Sequence, residues 1–429
     1  MATATYTLET GSSTLKELGR KVQAGIYKAA QFGVEEWGWL KDLKKYDVAL
    51  AQREITHELD ILEGTGANFI TEGGKETRPS SPTAVTATVT LNLLNKRFTI
   101  SRTTEMILGR QGSRAYLESQ FKYQGRKAVE AVRKRLGDGF YGFATAIMAK
   151  VSSVSTDDIV LKDMHGISGL GATTHNRRVV DQFVAGSGQN ADYIAVLNPT
   201  GPALRVAGIV KITAKARSTN TITCGASGIT SPTANDYVVL ANSLENTTLA
   251  GGTEYNLGMT GLLDGGTSTS VHSVSGSTYE RWNAAVNNSS GGRFTGVKLM
   301  NLRDEIANQG GGALNLVIWA QGVKRDVVSQ LQAGLRFSDA YAMEMDGTPK
   351  AKGVEFVSSR RVPDGYVFGM DKSNSVTKLV LTPDVDMPGM EDGDKLQDDS
   401  GRVFSADFII AMPWVNRANF GLYSGLTQS

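Results

Sequence analysis

The acidic loop at residues 384–399 is the stretch whose residue types and spacing come nearest to a metal site. Asp392 and Asp394 stand on either side of a glycine, as carboxylate ligands do at the start of a calcium-binding loop. Such a loop continues with an acid at its fifth position and a glycine at its sixth, where this chain has Leu396 and Gln397. We therefore predict a solvated loop that holds no metal.

The other groups that could do chemistry are equally incomplete. The glycines within residues 166–171 match a phosphate-binding loop in number only, because no strand–turn–helix context surrounds them. Cys224 has no nearby base in the sequence, and no Gly-x-Ser-x-Gly motif occurs. The four histidines lack the i, i+4 spacing of a helical metal pair: His57, His165, His175 and His272. We predict that the chain is not an enzyme and binds no cofactor.

A long β-strand at residues 85–93 is the clearest secondary-structure signal. Val85, Val89 and Leu91 point to one side of this strand and threonines point to the other, which predicts one apolar and one polar face. The alternation shifts by one residue after this strand, which predicts a β-bulge. We expect a hairpin in which residues 67–71 form the first strand.

The predicted tip of this hairpin, residues 72–83, is rich in Gly, Pro and Ser and contributes no core residue. Strand 85–93 alone reaches roughly 30 Å, which is too long for an isolated hairpin to be stable. We expect a neighbouring molecule to support it, with its register set by charges at the tip. The candidate charges are Glu72, Lys75, Glu76 and Arg78.

A long basic helix is predicted at residues 113–136, where apolar residues recur at spacings of three, four and seven. Seven basic residues far outweigh its two glutamates. The basic face could be an ordinary solvated surface or a surface that faces a polyanion, and the sequence leaves both open. The predicted basic face consists of Arg114, Lys122, Arg126, Lys127, Arg133 and Lys134.

Composition narrows the class of protein. The chain has 429 residues, of which 40% are hydrophobic, so it can bury two or three cores. Its net charge of +2 means that any contact with nucleic acid would come from local patches. One cysteine allows no disulfide framework, which is typical of a protein made in a reducing cytoplasm. The start of the chain predicts no secretion signal, and no apolar run is long enough to predict membrane insertion.

The remaining elements follow in order along the chain. Short helices with bends are expected in an N-terminal arm, and a second apolar helix is expected at residues 137–151. A Ser/Thr/Asn-rich stretch at about 181–246 predicts a small inserted β-module with strands at residues 193–197, 207–214, 220–224 and 237–241. Two aromatic residues, Tyr279 and Trp282, are expected to anchor an ordered loop.

A compact α/β domain is predicted next, because helices at residues 297–308 and 323–331 flank a strand that is apolar on both faces, residues 314–320. Short strands then return. Those strands are expected at residues 354–358, 365–370, 378–382 and 404–412.

This order of arm, hairpin, basic helix, α/β domain and returning strands resembles the major capsid protein of tailed double-stranded DNA bacteriophages. The resemblance is carried by residues 64–101 as the extended loop, 110–136 as the spine helix and 279–282 in the apical-type domain, with 361–365 and 416–426 near the end. It implies an α+β fold. The implied division is an N-terminal arm at 1–60, an extended loop hairpin at 61–101, a peripheral domain with the spine helix at 102–150, an apical domain at 151–345 and return strands at 346–429.

The resemblance also implies a function and partners. Copies would assemble into hexamers and pentamers of an icosahedral shell that encloses double-stranded DNA, with scaffolding, portal and decoration proteins as further partners. The protein would be made and assembled in the host cytoplasm and end in the virion capsid, without contact to a membrane. Two alternatives stay open: a cargo-enclosing bacterial nanocompartment of the same fold, and a Ser/Thr-rich β adhesin.

Overall fold

The structure is a computed structural model of the chain. It describes residues 54–62, 72, 83–90, 92–101, 123, 147–166, 179–186, 191–199, 210–225, 232–241, 270–271, 274–287, 292–334, 353–372, 380–382, 394–395, 401–411 and 416–427.

Strands dominate the described part of the chain. The strands are β1 (Glu54–Leu62), β2 (Thr83–Thr90), β3 (Asn92–Ser101), β4 (Ile147–Ser155), β5 (Asp158–Lys162), β6 (Tyr193–Leu197), β7 (Val210–Ala216), β8 (Thr221–Cys224), β9 (Tyr237–Ala241), β10 (Ser270–Val271), β11 (Val274–Ser275), β12 (Ala285–Asn287), β13 (Leu316–Ala320), β14 (Glu355–Ser359), β15 (Val367–Met370), β16 (Val380–Thr382), β17 (Asp394–Lys395), β18 (Gly401–Ala411) and β19 (Phe420–Tyr423). Two α-helices have bounds within the described residues, α1 (Gly296–Gly310) and α2 (Gln321–Gly334).

These elements belong to two compact units. The first unit contains a four-stranded sheet in which β18 pairs with β3 on one side and with β16 and β17 on the other. The β3–β18 pairing is antiparallel and regular over its whole length, from Asn92 opposite Ile410 to Ser101 opposite Gly401. The bulge predicted after residue 93 is therefore wrong. The shift in alternation has another cause, because β2 ends at Thr90 and β3 takes a different partner strand.

The second unit contains an antiparallel ribbon of β1 and β2. The predicted first strand of the hairpin, residues 67–71, lies outside the described residues, and β2 pairs instead with the earlier strand β1. The sequence predicts an N-terminal arm that includes residues 54–60, whereas the structure has β1 there. Their sequence alternates Ile55, His57 and Leu59 with polar residues, a period of two that fits a half-buried strand.

A closed six-stranded barrel follows in the second unit, with the strand order β4-β5-β8-β7-β6-β9 and antiparallel pairing throughout. Its core is formed by inward-facing side chains such as Ile159, Ile194 and Ile222, each fully buried. The strands predicted for the inserted module are confirmed at β6 and β9 and fall close to prediction at β7 and β8.

The barrel begins earlier than the predicted module. Residues 147–151 were predicted as part of an apolar helix, but they form the start of β4. All five are buried, and the strand pairs with β5 on one side and β9 on the other. A short run that is apolar apart from Lys150 fits both a buried helix and a buried strand, and here the pairing with neighbouring strands decides.

The second unit also contains a five-stranded mixed sheet with the order β12-β19-β15-β13-β14. β13 is fully buried, as its apolar sequence predicted, and both predicted helices are present as α1 and α2. The predicted return strands near residues 354–358 and 365–370 are present as β14 and β15, and both pair directly with β13. β19 was not predicted, and it occupies an interior place between β12 and β15.

Candidate subunit-contact surfaces

The β1–β2 ribbon has two unlike faces. On β2, Ala87 is completely buried and Val85 is half-buried, whereas Thr86 is exposed. On β1, Thr56 and Glu58 are exposed, and Glu58 lies directly opposite Thr86. Because Ala87 has no solvent exposure, part of the apolar face is covered within the same chain. The face left to solvent is polar, so a partner would meet threonine and carboxylate groups there.

The predicted tip and apolar anchors of the hairpin are described only in part. Glu72 is exposed and lies in a turn. Val89 lies within β2. Lys75, Glu76, Arg78 and Leu91 lie outside the described residues.

The basic helix is represented by one described residue. Tyr123 is helical, and 48% of its surface is exposed. The residues predicted for the basic face lie outside the described residues: Arg114, Lys122, Arg126, Lys127, Arg133 and Lys134. Their role stays a prediction.

The predicted aromatic anchors lie around a single turn of 3-10 helix, Glu280–Trp282. Trp282 is 2% exposed, so its ring is held in the core, while Tyr279 is half-buried. The turn is closed by the backbone N–H of Trp282, which donates to the carbonyl of Tyr279 at 2.9 Å. The role of the two rings as anchors of this loop stays a prediction.

Sequence reasoning missed an exposed apolar pair at the start of α1. Val297 and Met300 are 67% and 66% exposed, although both are large apolar side chains. Their spacing of three places them on one face of the helix, opposite the buried Leu302 and Ile306. The spacing alone could have found the pair, but only the burial of the opposite face shows that it points outward.

Local contacts fix the position of this helix. Thr295 caps its N-terminus by accepting a hydrogen bond from the backbone N–H of Lys298 at 3.4 Å, and Gly311 ends it with a left-handed φ of 68°. Leu302 packs against two strand positions that lack a side chain, Gly369 of β15 and Gly421 of β19. The exposed pair therefore stands on a helix that is held closely against the sheet.

The groups that could have done chemistry do not form a site in the described part of the chain. No cluster of three His, Cys, Asp or Glu residues suited to a metal ion occurs among those residues. Burial raises the pKa of the Cys224 thiol to about 12, with Asp158 and Asp157 adding to the shift. Of the acidic loop, Asp394 lies in β17, and most of the loop lies outside the described residues. Among the described helices, none has the length and apolarity needed to span a membrane.

Comparison with known proteins adds structural relatives. No protein-family model matches the sequence, and no curated protein matches it. A chain of the Cyanophage A-1(L) capsid asymmetric unit is 10% identical over 91% of this chain and 93% of that chain, with a TM-score of 0.50. The chain has the fold of a phage capsid protein. Two further matches have lower TM-scores, and the fold assignment does not rest on them.

The first of these two matches is a chain from the satellite phage P4 procapsid, including size determination (Sid) protein. It is 9% identical over 94% of this chain and 90% of that chain, with a TM-score of 0.41. The second is a virus-like particle from Pyrococcus furiosus, 9% identical over 94% of this chain and 98% of that chain, with a TM-score of 0.38.

The capsid fold confirms the resemblance inferred from the order of the elements. The predicted α+β class is confirmed at the coarse level, because the described residues form several sheets and the two helices α1 and α2. The finer division into arm, extended loop, spine helix and apical domain goes beyond what a shared fold establishes.

Proposed function

We propose that this chain is the major capsid protein of a tailed double-stranded DNA bacteriophage. The observation that carries the proposal is the shared fold with a chain of the Cyanophage A-1(L) capsid asymmetric unit over 91% of this chain and 93% of that chain. Copies would assemble into hexamers and pentamers of an icosahedral shell, in the host cytoplasm, and end in the virion. The role is structural and needs no catalytic residue.

Each described element is assigned to one region of the proposed capsid protein. The β1–β2 ribbon belongs to the extended loop, the β3–β18 sheet and residues 102–136 form the peripheral domain, and the five-stranded sheet with α1 and α2 forms the apical domain. The barrel is a module inserted into the apical domain. The proposed N-terminal arm, predicted at residues 1–60, is shortened to residues 1–53 because residues 54–60 belong to β1.

Assembly relies on many weak contacts. The ribbon exposes Glu58 and Thr86, and the tip adds Glu72, Lys75, Glu76 and Arg78. A single exposed ion pair contributes about 0 to 1 kcal/mol, so no one contact holds two copies together. Repetition around a closed ring makes the whole assembly cooperative.

The tip is tested by deleting residues 73–80 and examining the purified protein by negative-stain electron microscopy. We expect soluble, folded subunits that no longer close into shells. The matched control replaces the same eight residues with a Gly/Ser segment of equal length, which separates the loss of the charged side chains from the shortening of the loop. Closed shells from the deleted protein would refute the role of the tip.

The exposed pair on α1 offers a second contact surface. A neighbouring copy would cover Val297 and Met300, because large apolar side chains exposed together on a helix favour an interface. The double variant Val297→Asp/Met300→Asp should keep the subunit folded and weaken each contact between subunits at least about tenfold, which corresponds to about 1.4 kcal/mol per contact. The yield of closed shells should then fall, because every contact around the ring is weakened. Asn308→Asp, also exposed on α1, is the control and should assemble normally.

Packaged DNA is proposed to face the basic helix without sequence specificity. Replacing Arg126, Lys127, Arg133 and Lys134 by Gln should leave shell assembly intact and make the packaged DNA easier to release on heating. Unchanged release would show that this face is only exposed to solvent or contacts other subunits.

The contents of purified particles distinguish a phage capsid from the alternative, a bacterial nanocompartment. Protein cargo in place of DNA would identify the nanocompartment. Scaffolding, portal and decoration proteins are the further partners that this role requires.

A further inference from the structure

His165 occupies an unusual place between the barrel and the five-stranded sheet. It follows β5 in a 3-10 turn, Met164–Gly166, and its side chain is completely buried. Its Nε2 lies 3.2 Å from the carbonyl oxygen of Arg361, which belongs to the turn between β14 and β15. A side chain from the barrel end thus holds a turn of the sheet, 196 residues further along the chain.

This contact fixes the state of the imidazole ring. A carbonyl oxygen can only accept a hydrogen bond, so Nε2 carries the proton and donates it. Nδ1 is then a bare acceptor, and it is buried without a hydrogen-bond partner among the described residues. The ring therefore fits this place in its neutral form, with one donor satisfied.

Protonation of the His165 ring would make it unsuited to this buried place. The imidazolium would carry a second N–H at Nδ1 with no described acceptor, and its charge would be buried beside the guanidinium of Arg361. Burial is the largest cause that lowers the pKa of His165 to about 4, and the nearby Arg361 charge lowers it further, while the bond to the Arg361 carbonyl opposes the shift.

The backbone of this segment is held in a strained form. Asp163 and His165 both have left-handed φ values, 50° and 57°, which non-glycine residues adopt only at a cost. Such a conformation persists where surrounding contacts enforce it. Loss of the His165 contact would therefore allow the segment to relax.

We propose that His165 is an acid-sensitive latch, which fastens the end of β5 to the turn at residues 360–366 while it is neutral and releases that turn when it is protonated. This device goes beyond the proposed shell function. It gives the subunit a built-in conformational change between the barrel and the sheet.

The charged groups on the packed elements define the expected pH range. Lys150 of β4 lies 3.9 Å from Asp163, Lys162 is the last residue of β5, and Arg360 and Arg361 lie in the turn. Burial raises the pKa of Asp163, so that group favours the folded form as the pH falls. His165 acts in the opposite sense, because its pKa is lowered on folding: its stabilisation is complete above pH 6.5 and is lost as the pH falls towards 4.

Hydrogen exchange of the full chain tests the latch. With a pKa of 6.5 when open and about 4 when closed, the opening equilibrium should rise about 20-fold between pH 7 and pH 5. After correction for intrinsic exchange, amides of residues 160–166 and 359–366 should lose protection by that factor. Amides of β18, in the other unit, serve as the internal reference.

Variants distinguish the protonation of His165 from the titration of other groups at low pH. His165→Asn, a residue that tolerates left-handed backbone and does not titrate, should abolish the pH dependence in both segments. Asp163→Asn should retain it. A chain with His57, His175 and His272 replaced by Gln should also retain it, which tests the proposal in a protein whose latch is intact. The proposal would be overturned if His165→Asn lost as much protection between pH 7 and pH 5 as the wild-type chain does. It would also be overturned if the wild-type chain lost no protection at pH 5.

Discussion

The packing of Leu302 between two glycines gives a sharp test of how α1 is held on the sheet. A Cβ at Gly421 would lie 2.4 Å from Cδ1 of Leu302, and a Cβ at Gly369 would lie 2.7 Å from its Cδ2. The leucine therefore cannot swing away from one strand without meeting the other. We predict that Gly421→Ala destabilises the protein by about 1 to 3 kcal/mol, the usual range for overpacking a close-packed core.

The same geometry predicts an interaction between two substitutions. Leu302→Ala alone should cost about 2 to 5 kcal/mol, because it leaves a cavity at a position with no solvent exposure. In that background the methyl group of Gly421→Ala has room and fills part of the cavity. The double variant should therefore be more stable than the sum of the single losses by about 1 to 3 kcal/mol.

Equilibrium unfolding in urea measures the free energy of unfolding of unassembled subunits. The four proteins compared are the wild type, Gly421→Ala, Leu302→Ala and the double variant. The matched control is Gly296→Ala at the start of α1, where an added Cβ meets no atom within 4 Å. We expect that variant to be unchanged or up to about 1 kcal/mol more stable. Gly421→Ala with the stability of Gly296→Ala, or with the same cost when Leu302 is already alanine, would refute the packing argument.

Three further predictions concern buried groups of the second unit. Asp371→Ala should cost about 3 kcal/mol in the same assay, because its carboxylate accepts bonds from the backbone N–H of Ala313 at 2.8 Å and from the Asn315 side-chain amide at 2.9 Å; full stability would contradict this. Cys224 should react with iodoacetamide at pH 8.5 at least roughly 1000-fold more slowly in the folded than in the unfolded chain, since its pKa is about 12, and equal rates measured by mass spectrometry would show an accessible thiolate. Trp282→Ala should cost about 3 to 5 kcal/mol in urea unfolding if its buried ring anchors the loop before β12, and a loss below 1 kcal/mol would assign it no such role.

Several elements could be predicted from local sequence because their signal lies within the element. β13 has a continuous apolar run, α1 and α2 have a helical period, and β6 and β9 were predicted at their observed bounds. Each of these signals depends on neighbours a few residues apart. The resemblance to the capsid fold followed from the order of such elements, and the shared fold confirms it.

The errors have a common origin in contacts between distant residues. The alternation in β1 was present in the sequence but was assigned to an arm, because its partner strand begins more than twenty residues later. The apolar start of β4 became a strand because β5 and β9 pair with it. β14 and β15 pair with the two edges of β13, and no local period in the sequence indicates which strands will be neighbours.

The sequence by itself determined which segments are apolar, which alternate and which are charged, because periodicity is a property of neighbouring residues. The tertiary structure alone decided that Ala87 is covered within the chain, that Val297 and Met300 face solvent, and that His165 meets the carbonyl of Arg361. Burial and hydrogen-bond partners depend on segments brought together across long stretches of chain. That information resides in the pairing of strands and the packing of α1 on its sheet.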